Sequence, residues 1–463
     1  MQFKNRASLC TLALAAISAV ALAGPLTPPA GPVTSTNKTL QEVEPRIAIN
    51  ATNTPGDADA LFKITQRGSY YLTGNITGVV GRHGIEIVAS GVTLDLMGFD
   101  VSGVPAMGGF DGVSVTISSL TNITIRNGTV RGWGDEGVDL RTFRADNSAV
   151  IDVRASSNAG SGIRIGNSGT VTGCSASFNT GSGISIGDGS TVAGCTASSN
   201  TGTGIVVGVG STITGCSAFQ NTGNGISTFN GSTIIDCTAY NNTGDGIFAS
   251  FSSAITGCTA FSNTGNGILA QIGSTVTGST ASSNTLTGIV VGIGSTITGC
   301  TASFNTGNGI ATGAGCTITG CTAFDNTSDG IHADSASTVS GCTTRSNDGD
   351  GIQVSSDCRV INNTCDANGT GLREGAGIYA TGSGNRIEGN NCSNNDRGID
   401  VDAAGNIIIR NTCSGNTPNW TIVANNFYGP IISISASTTP AVNGSAAAAS
   451  TLATTDPNAN FSY

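Results

Sequence analysis

The residue types best suited to chemistry lie in the last third of this 463-residue chain. They combine one imidazole with three carboxyl groups: His332, Asp334, Asp350 and Asp400. Such a set can exchange protons with a sugar substrate or assist the cleavage of a glycosidic bond. These four residues are therefore the candidate catalytic set of an enzyme that acts on an acidic polysaccharide.

Two further groups are candidate ligand contacts. One combines carboxylates with guanidinium groups near the start of the chain: Glu86, Asp139, Arg141 and Arg164. The other is three aromatic residues at 21-residue steps: Phe219, Tyr240 and Phe261. Aromatic platforms hold sugar rings, but ion pairing and mutual ring stacking explain both groups without a ligand. No cofactor is indicated, and no metal site is predicted because no ligands converge with a suitable spacing.

The elements that must position these residues are indicated by a repeat of 21 residues. An isoleucine recurs at this step ten times: Ile163, Ile184, Ile205, Ile226, Ile247, Ile268, Ile289, Ile310, Ile331 and Ile352. A cysteine column and an asparagine column keep the same step. Three columns with one period predict a structural unit stacked on copies of itself, which is a solenoid.

Each repeat contains three short β-branched runs separated by glycine. In the repeat at Gly204, strand alternation places Ile205, Val207 and Ile213 inside and Val206 outside. No run has the length and 3.6-residue spacing of an amphipathic helix. The predicted fold class is all-β, a single right-handed parallel β-helix of about fifteen coils that lie ~4.8 Å apart.

The columns also predict what fills the coils. Stacked asparagines are expected to form a hydrogen-bonded amide ladder at a corner. The cysteines are expected to be buried free thiols, because ~4.8 Å between rungs exceeds the ~3.8 Å separation of disulfide Cβ atoms. Asp329 and Asp350 fall at a corner where other repeats have asparagine: Asn224, Asn266 and Asn308. This favours a turn role for both aspartates over catalysis.

Composition divides the chain into four parts. Residues 1–23 are typical of a secretory signal peptide, with Lys4 and Arg6 before an apolar run. Residues 24–59 are a Pro/Thr-rich N-terminal arm, 60–430 the β-helix, and 431–463 a C-terminal cap with an Ala/Ser/Thr-rich tail. No later segment is long and apolar enough to cross a bilayer. The sequence predicts a secreted protein, in the periplasm, the medium or at the cell surface.

The charge pattern excludes some partners. Formal net charge is −10, and no Lys or Arg occurs between Arg164 and Arg345. Nucleic-acid binding needs a cationic footprint, and so does attraction to anionic lipid. An outward apolar stripe suits a protein partner instead, or is covered by the N-terminal arm: Val206, Phe248, Leu269 and Val290.

Three motifs carry a resemblance to a known family. They are Gly-Ser-Tyr-Tyr-Leu-Thr-Gly-Asn (68–75), Gly-Val-Thr-Leu-Asp-Leu-Met-Gly-Phe (91–99) and the repeated Asn-x-Gly-x-Gly-Ile coils. These resemble the right-handed parallel β-helix proteins of the pectin-lyase-like superfamily over about 60–430. The resemblance implies an exported protein, from a superfamily of polysaccharide lyases, hydrolases, epimerases and surface proteins.

The motifs of that superfamily's enzymes can be checked directly. The Asn-Thr-Asp, Asp-Asp and Gly-His-Gly clusters of polygalacturonase-like members and the Asp-Pro-His run of epimerase-like members do not occur. This favours a structural or binding role, towards polysaccharide or a cell-surface protein. The alternative is a carbohydrate-active enzyme, a polysaccharide lyase or glycoside hydrolase.

Overall fold

The computed structural model describes residues 44–141, 146–369, 375–433 and 454–463, and none of these residues is helical. Parallel strands form three faces that run the length of a solenoid. Face 1 has one strand from each coil: Ala60–Ile64, His83–Ile87, Val113–Ser114, Val138–Leu140, Ile163–Ile165, Ile184–Ile186, Ile205–Val207, Ile226–Thr228, Ile247–Ala249, Ile268–Ala270, Ile289–Val291, Ile310–Thr312, Ile331–Ala333, Ile352–Val354, Ala376–Ala380, Arg397–Val401 and Trp420–Ile422.

Faces 2 and 3 are continuous with each other, and the strands Thr124–Arg131 and Ala149–Ser156 span both. The other strands of face 2 are Ile47–Ala48, Gly68–Tyr71, Val92–Asp95, Thr170–Thr172, Thr191–Ala193, Thr212–Thr214, Thr233–Ile235, Ala254–Thr256, Thr275–Thr277, Thr296–Thr298, Thr317–Thr319, Thr338–Ser340, Arg359–Ile361, Arg386–Glu388, Ile407–Ile409 and Phe427–Tyr428. Those of face 3 are Ile76–Thr77, Asp100–Ser102, Ser175–Ser177, Thr196–Ser198, Ser217–Phe219, Thr238–Tyr240, Thr259–Phe261, Thr280–Ser282, Thr301–Ser303, Thr322–Phe324, Thr343–Arg345, Thr364–Asp366, Asn391–Ser393, Thr412–Ser414, Ile431–Ser433 and Asn460–Ser462.

The coils stack in register, and this confirms the predicted fold class. Ile184 pairs with Ile163 of the preceding coil and Ile205 of the next. These isoleucines are fully buried, and together with Val207 and Ile213 they fill the narrow interior. Burial of one aliphatic side chain contributes ~1.5–3 kcal/mol, so a row repeated in every coil supplies much of the stability.

The number of coils differs from the expectation of about fifteen. Face 1 contains seventeen strands within the described residues. The difference arises at both ends, where coils with longer and unequal loops still pair with their neighbours. Val113 and Val138, for example, are paired across a 25-residue step that breaks the 21-residue period.

Two columns behave as predicted inside the coils. All thirteen described cysteines are buried free thiols. Asn200 Nδ2 donates to Asn221 Oδ1 of the next coil at 2.9 Å and to the carbonyl of Ala176 at 3.1 Å. The glycine near the rung is required by space, because a Cβ on Gly204 would lie 2.5 Å from the Gly225 carbonyl oxygen. The amide ladder and its glycines therefore fix this corner in every coil.

Several predicted segments lie partly outside the described residues. These are the signal peptide (1–23), residues 24–43 of the arm, and 434–453 of the tail. Of the arm, Ile47–Ala48 pairs with Tyr70–Tyr71 of the first coil. Within the described ranges no helix has the length and apolar composition of a membrane span.

Candidate functional site

One row of outward side chains runs along face 1, and it is called here the face-1 row. Its first members pair from coil to coil in the order Lys63, Glu86, Ser114, Asp139 and Arg164. The row continues coil by coil to the last strand of face 1, and strand pairing identifies each of its members.

 The complete continuation of the row is Ser185, Val206, Ser227, Phe248, Leu269, Val290, Ala311, His332, Gln353, Tyr379, Asp400 and Thr421. The row is thus apolar in its middle and polar at both ends.

The predicted group Glu86, Asp139, Arg141 and Arg164 lies at the N-terminal end of the row. Lys63 Nζ pairs with Glu86 Oε2 at 2.7 Å, and Thr116 donates a hydrogen bond to the same carboxylate. The Arg141 backbone N–H donates to Asp139 Oδ1 at 2.9 Å, and its guanidinium lies 3.6 Å from Asp139 Oδ2. The structure therefore places the four predicted residues on three of four consecutive strands of face 1 and on the loop after Leu140.

Two further carboxyl groups of this cluster lie at the corner that precedes face 1. Glu136 Oε1 accepts a hydrogen bond from Arg164 at 2.7 Å. Asp111 Oδ1 accepts the Glu136 backbone N–H at 2.9 Å, and Asp111 Oδ2 accepts the Ser114 hydroxyl at 2.9 Å. Asp111 is not among the residues predicted from the sequence. Its position two residues before the buried strand residue Val113 could have identified it. The first coils differ in length, however, so Asp111 does not align with the corner residues of the 21-residue repeats.

Burial changes the protonation of these corner carboxyls. Burial, followed by the charge of Asp139, raises the pKa of Asp111 to about 8. Burial, followed by the neighbouring Asp135 carboxyl, raises the pKa of Glu136 to about 7. Burial likewise lowers the pKa of His83, whose Nδ1 accepts the Asp111 backbone N–H at 3.0 Å. The carboxyl groups of Asp111 and Glu136 thus keep their protons to a higher pH than exposed carboxyl groups do.

The sequence predicts no metal site. In the structure, however, one group of described residues has a spacing that suits a metal ion. Single carboxylate oxygens of Asp111, Asp135 and Glu136 lie within 4.8 Å of one another. Oxygen ligands of this kind suit a hard divalent cation. The hydrogen bonds from Ser114 and Arg164 already use part of this acceptor capacity.

A cavity of about 380 Å³ opens beside the cluster. Its polar lining includes Arg141, Asp146, Arg164, Asn167 and Ser185. The two guanidinium groups supply several hydrogen-bond donors, and the Asp146 carboxylate and the Asn167 amide carbonyl supply acceptors. The cavity can therefore bind a ligand that carries both donors and acceptors, as sugar hydroxyls do.

The predicted catalytic residues lie at the C-terminal end of the face-1 row. His332 Nδ1 lies 3.3 Å from Asp329 Oδ2 and 3.1 Å from Gln353 Oε1. The Asp329 carboxylate raises the pKa of His332. Asp334 lies outside this contact, on the following corner, where its Oδ1 accepts the Ser335 backbone N–H at 2.7 Å.

Asp350 and Asp400 are both buried but belong to different coils. Asp350 Oδ1 accepts the Ala376 backbone N–H at 2.6 Å, and burial raises the pKa of Asp350 to about 7. Asp400 is paired with Arg397 at 3.1 Å, and burial raises its pKa. His332 and Asp400 are three coils apart, ~14 Å at the spacing of parallel strands. The structure thus connects His332 to Asp350 through Asp329 and does not bring all four residues to one point.

The predicted aromatic group forms a continuous stack on face 3. The ring centroids of Phe219 and Tyr240 lie 4.8 Å apart at an interplanar angle of 9°, and those of Tyr240 and Phe261 lie 4.8 Å apart at 2°. Both ring faces of Tyr240 are therefore covered by its neighbours. A ligand can stack only on the outer faces of Phe219 and Phe261, which lie on a different side of the solenoid from the face-1 row.

The fold and the long row of outward side chains define a parallel β-solenoid protein. The chain belongs to the right-handed β-helix family, because the family model described as "Right handed beta helix region" matches residues 64–213 and 268–417, together more than half of its length. This confirms the resemblance inferred from the sequence. A search of curated proteins finds no match.

Solved structures share this fold at low sequence identity. The mannuronan C-5 epimerase AlgE4 A-module of Azotobacter vinelandii is 16% identical, covers 78% of this chain and is itself covered over 90% of its length, with a TM-score of 0.32. Tailspike protein 3 of bacteriophage CBA120 is 12% identical, and the match covers 80% of this chain and 62% of the tailspike, with a TM-score of 0.37. Pectate lyase Pel9A is 16% identical, and the match covers 80% of this chain and 78% of the lyase, with a TM-score of 0.21. These likenesses concern the fold alone.

Proposed function

We propose that this chain is a secreted or surface-exposed β-helix protein that binds polysaccharide at the N-terminal end of face 1. The observation that carries the proposal is the cavity lined by Arg141 and Arg164. A linear polymer lying along the solenoid meets a new outward side chain in each coil, every ~4.8 Å. The site therefore suits an extended chain of sugars better than a compact ligand.

The chemistry of the cavity supports a sugar ligand. Arg164 is held by Glu136 at 2.7 Å, and Arg141 lies beside Asp139. Each pair presents fixed donors and an acceptor side by side, an arrangement that matches the vicinal hydroxyls of a sugar. Side chains fixed before binding lose less conformational entropy when the ligand arrives.

Binding can be tested with two variants and immobilised polysaccharides, both neutral and uronate-containing. Arg141→Ala combined with Arg164→Ala removes the guanidinium donors of the cavity and is expected to weaken binding by about tenfold or more. Arg131→Ala is the control, since Arg131 also pairs with a carboxylate, Asp100 at 2.6 Å, but lies on face 3. Equal loss in both variants, or no binding by the parent protein, would refute the proposal.

Export is the second part of the proposal, and it rests on residues 1–23. A charged start, an apolar run and small residues at positions 21 and 23 are typical of a cleaved signal peptide. Expression in a secretion-competent bacterial host should give mature protein that begins at Gly24. Mass spectrometry of the exported fraction checks this, and intact protein confined to the cytoplasm would contradict it.

Catalysis is a second candidate function, favoured by one observation at the other end of the row. His332 and Asp350 lie on adjoining coils, and burial raises the pKa of Asp350 to about 7, so this carboxyl group can exchange protons near neutral pH. If the chain is a lyase or a hydrolase, uronate polysaccharides should be cleaved and His332→Ala should abolish turnover. Binding without cleavage would leave the non-catalytic role.

A further inference from the structure

In five consecutive coils, large apolar side chains are half-buried on face 1 and exposed on the corner that follows it. This apolar patch consists of Val206, Val209, Phe229, Phe248, Phe251, Leu269, Ile272, Val290 and Ile293. Its corner members are the most exposed, for example Phe251 at 44% and Ile293 at 55%. Continuous apolar patches of this kind on soluble proteins mark interaction sites.

The apolar patch is confined to five coils of the solenoid. Its middle is the coil of Phe248 and Phe251, and it extends over two coils on each side, as far as Val206 and Ile293. A two-fold contact places the same patch of both copies against each other, so an apolar patch of limited extent can be covered by its own counterpart in a second chain. From this geometry we propose that the apolar patch is the contact between two copies of this chain, packed antiparallel about an axis near Phe251.

The area of the apolar patch agrees with such a contact. Its side chains expose on the order of 500 Å² in each copy, which is at the upper end for a monomer. Two copies would bury about 1,000 Å² of apolar surface, and the polar residues at the margin bring the total to the ~1,200 Å² of the smallest stable interfaces. A second copy therefore matches the surface in size.

The charge distribution also agrees with a second copy. The five coils contain no lysine or arginine, so no cationic groups oppose each other across the axis. The Asp245 carboxylate, at the preceding corner, accepts the Asn266 backbone N–H at 2.8 Å and its side-chain amide at 3.0 Å. Arg164 lies four coils from the axis, ~19 Å, so the polysaccharide cavity lies beyond the apolar patch.

Sedimentation of the purified protein over a range of concentrations tests the proposal. The parent protein should form a two-chain species that dissociates on dilution. Phe251→Ser combined with Ile272→Ser should weaken association by about tenfold or more, because two central apolar contacts are lost. Both substitutions are compatible with the fold, since Asn230 and Ser335 occupy the same corner position in other coils.

A control uses two phenylalanines on another corner that are more exposed than Phe251 and Ile272. Phe178 and Phe304 are 66% and 56% exposed, and serine occupies their position in other coils, for example Ser199. Phe178→Ser combined with Phe304→Ser should leave the dissociation constant unchanged. An equal effect of both double variants would overturn the proposal, since association would then depend on general surface hydrophobicity.

Cross-linking tests the position of the axis. Phe251→Cys places one thiol near the axis, where it lies close to its own copy in the second chain, and mild oxidation should give a covalent dimer. Phe178→Cys should not form one, and the thirteen cysteines within the described residues are buried. A parent protein that stays monomeric at high concentration would refute the proposal. So would dimers that form only after deletion of residues 24–43, because that segment would then be the natural cover of the apolar patch.

Discussion

At the scale of single residues, one side chain at the corner before face 1 accepts a backbone N–H from the next coil. Asn308 Oδ1 accepts the N–H of Asp329, Asp329 Oδ1 that of Asp350, and Asp350 Oδ1 that of Ala376. An amide or a carboxylate oxygen serves equally well in this role. Asp329 and Asp350 therefore form the turn hydrogen bonds that the asparagines at this position predict. Because Asp350 is buried, ionisation of its carboxyl group has a cost in folding free energy.

This cost predicts a pH dependence of stability. The pKa of Asp350 is raised to about 7 in the folded chain, so the neutral form is favoured there. The protonated Asp350 carboxyl group contributes its full stabilisation below about pH 4, where it is protonated in the unfolded chain as well. This contribution is lost as the pH rises to 7. Asp350→Asn keeps the acceptor and should match the parent protein at pH 4 but exceed its stability above pH 7, by on the order of a few kcal/mol.

Thermal unfolding between pH 4 and pH 9 provides the measurement. The control is Asp188→Asn, because Asp188 accepts a backbone N–H from the next coil in the same way, at 2.8 Å from Val209, on an exposed corner. Its melting curve is expected to follow that of the parent protein across the range. A constant difference between Asp350→Asn and the parent protein at every pH would contradict the assignment.

At the scale of the elements, the asparagine ladder holds neighbouring coils together at a buried corner. Asn242 donates from its side chain to Asn263 Oδ1 and to the Ala218 carbonyl, both at 3.0 Å. Its own Oδ1 accepts the backbone N–H and the side-chain amide of Asn221. Each rung thus satisfies polar groups of both adjoining coils that water cannot reach.

Removal of one rung should therefore be strongly destabilising. Asn242→Ala leaves the Ala218 carbonyl and the amide of Asn221 buried without this partner, at a cost of roughly 3–5 kcal/mol. Chemical denaturation measures the loss. Asn230→Ala, at an exposed corner of the neighbouring coil, should change stability by less than about 0.5 kcal/mol. Similar values for both variants would show that the ladder contributes little.

The cysteine column forms a second internal ladder. Cys195 and Cys216 donate their backbone N–H groups to the sulfur of the next coil at 3.4 Å. Ser279 takes the same place without disruption, since its hydroxyl accepts the Cys258 N–H at 3.2 Å. The sulfurs therefore act as small buried acceptors, and burial raises the pKa of thiols such as Cys365 well above its ordinary value.

Buried neutral thiols should not react in the folded protein. A thiol reagent is expected to modify none of the thirteen described cysteines under native conditions and all of them after denaturation. Ser185→Cys, on the outer surface of face 1, is the positive control and should react at once. Native reaction of any other thiol, or fewer than thirteen thiols after denaturation without a reductant, would contradict this account.

The sequence predicts most of these elements because one residue type repeats in each coil. The isoleucine, cysteine and asparagine columns specify inside positions directly, and the outward row follows by alternation. A serine column that includes Ser190 and Ser211 was equally periodic, and its hydroxyls also accept backbone N–H groups from coil to coil. The first coils were harder to predict, because steps of 28 and 25 residues separate His83, Asp111 and Glu136.

At the scale of the whole molecule, a stack of parallel strands must protect its last edge from further pairing. The C-terminal strand Asn460–Ser462 covers the edge of Thr412–Ser414 and pairs on its other side with Ile431–Ser433. Asn460 Oδ1 accepts the Asn411 backbone N–H at 3.0 Å, so the ladder receives one more rung from a residue 49 positions later. Periodicity cannot predict such a distant partner.

Deletion of residues 454–463 should expose this edge and loosen the coils nearest to it. In a solenoid each coil contacts only its neighbours, so the effect should decay along the stack. Hydrogen exchange is expected to accelerate at Thr412–Ser414 and to remain slow near Ile205, and the exposed edge should promote self-association. Tyr463→Ala, which removes only a side chain that is 62% exposed, should leave exchange unchanged. Unaltered protection of Thr412–Ser414 after the deletion would show that the terminal strand is not the cap.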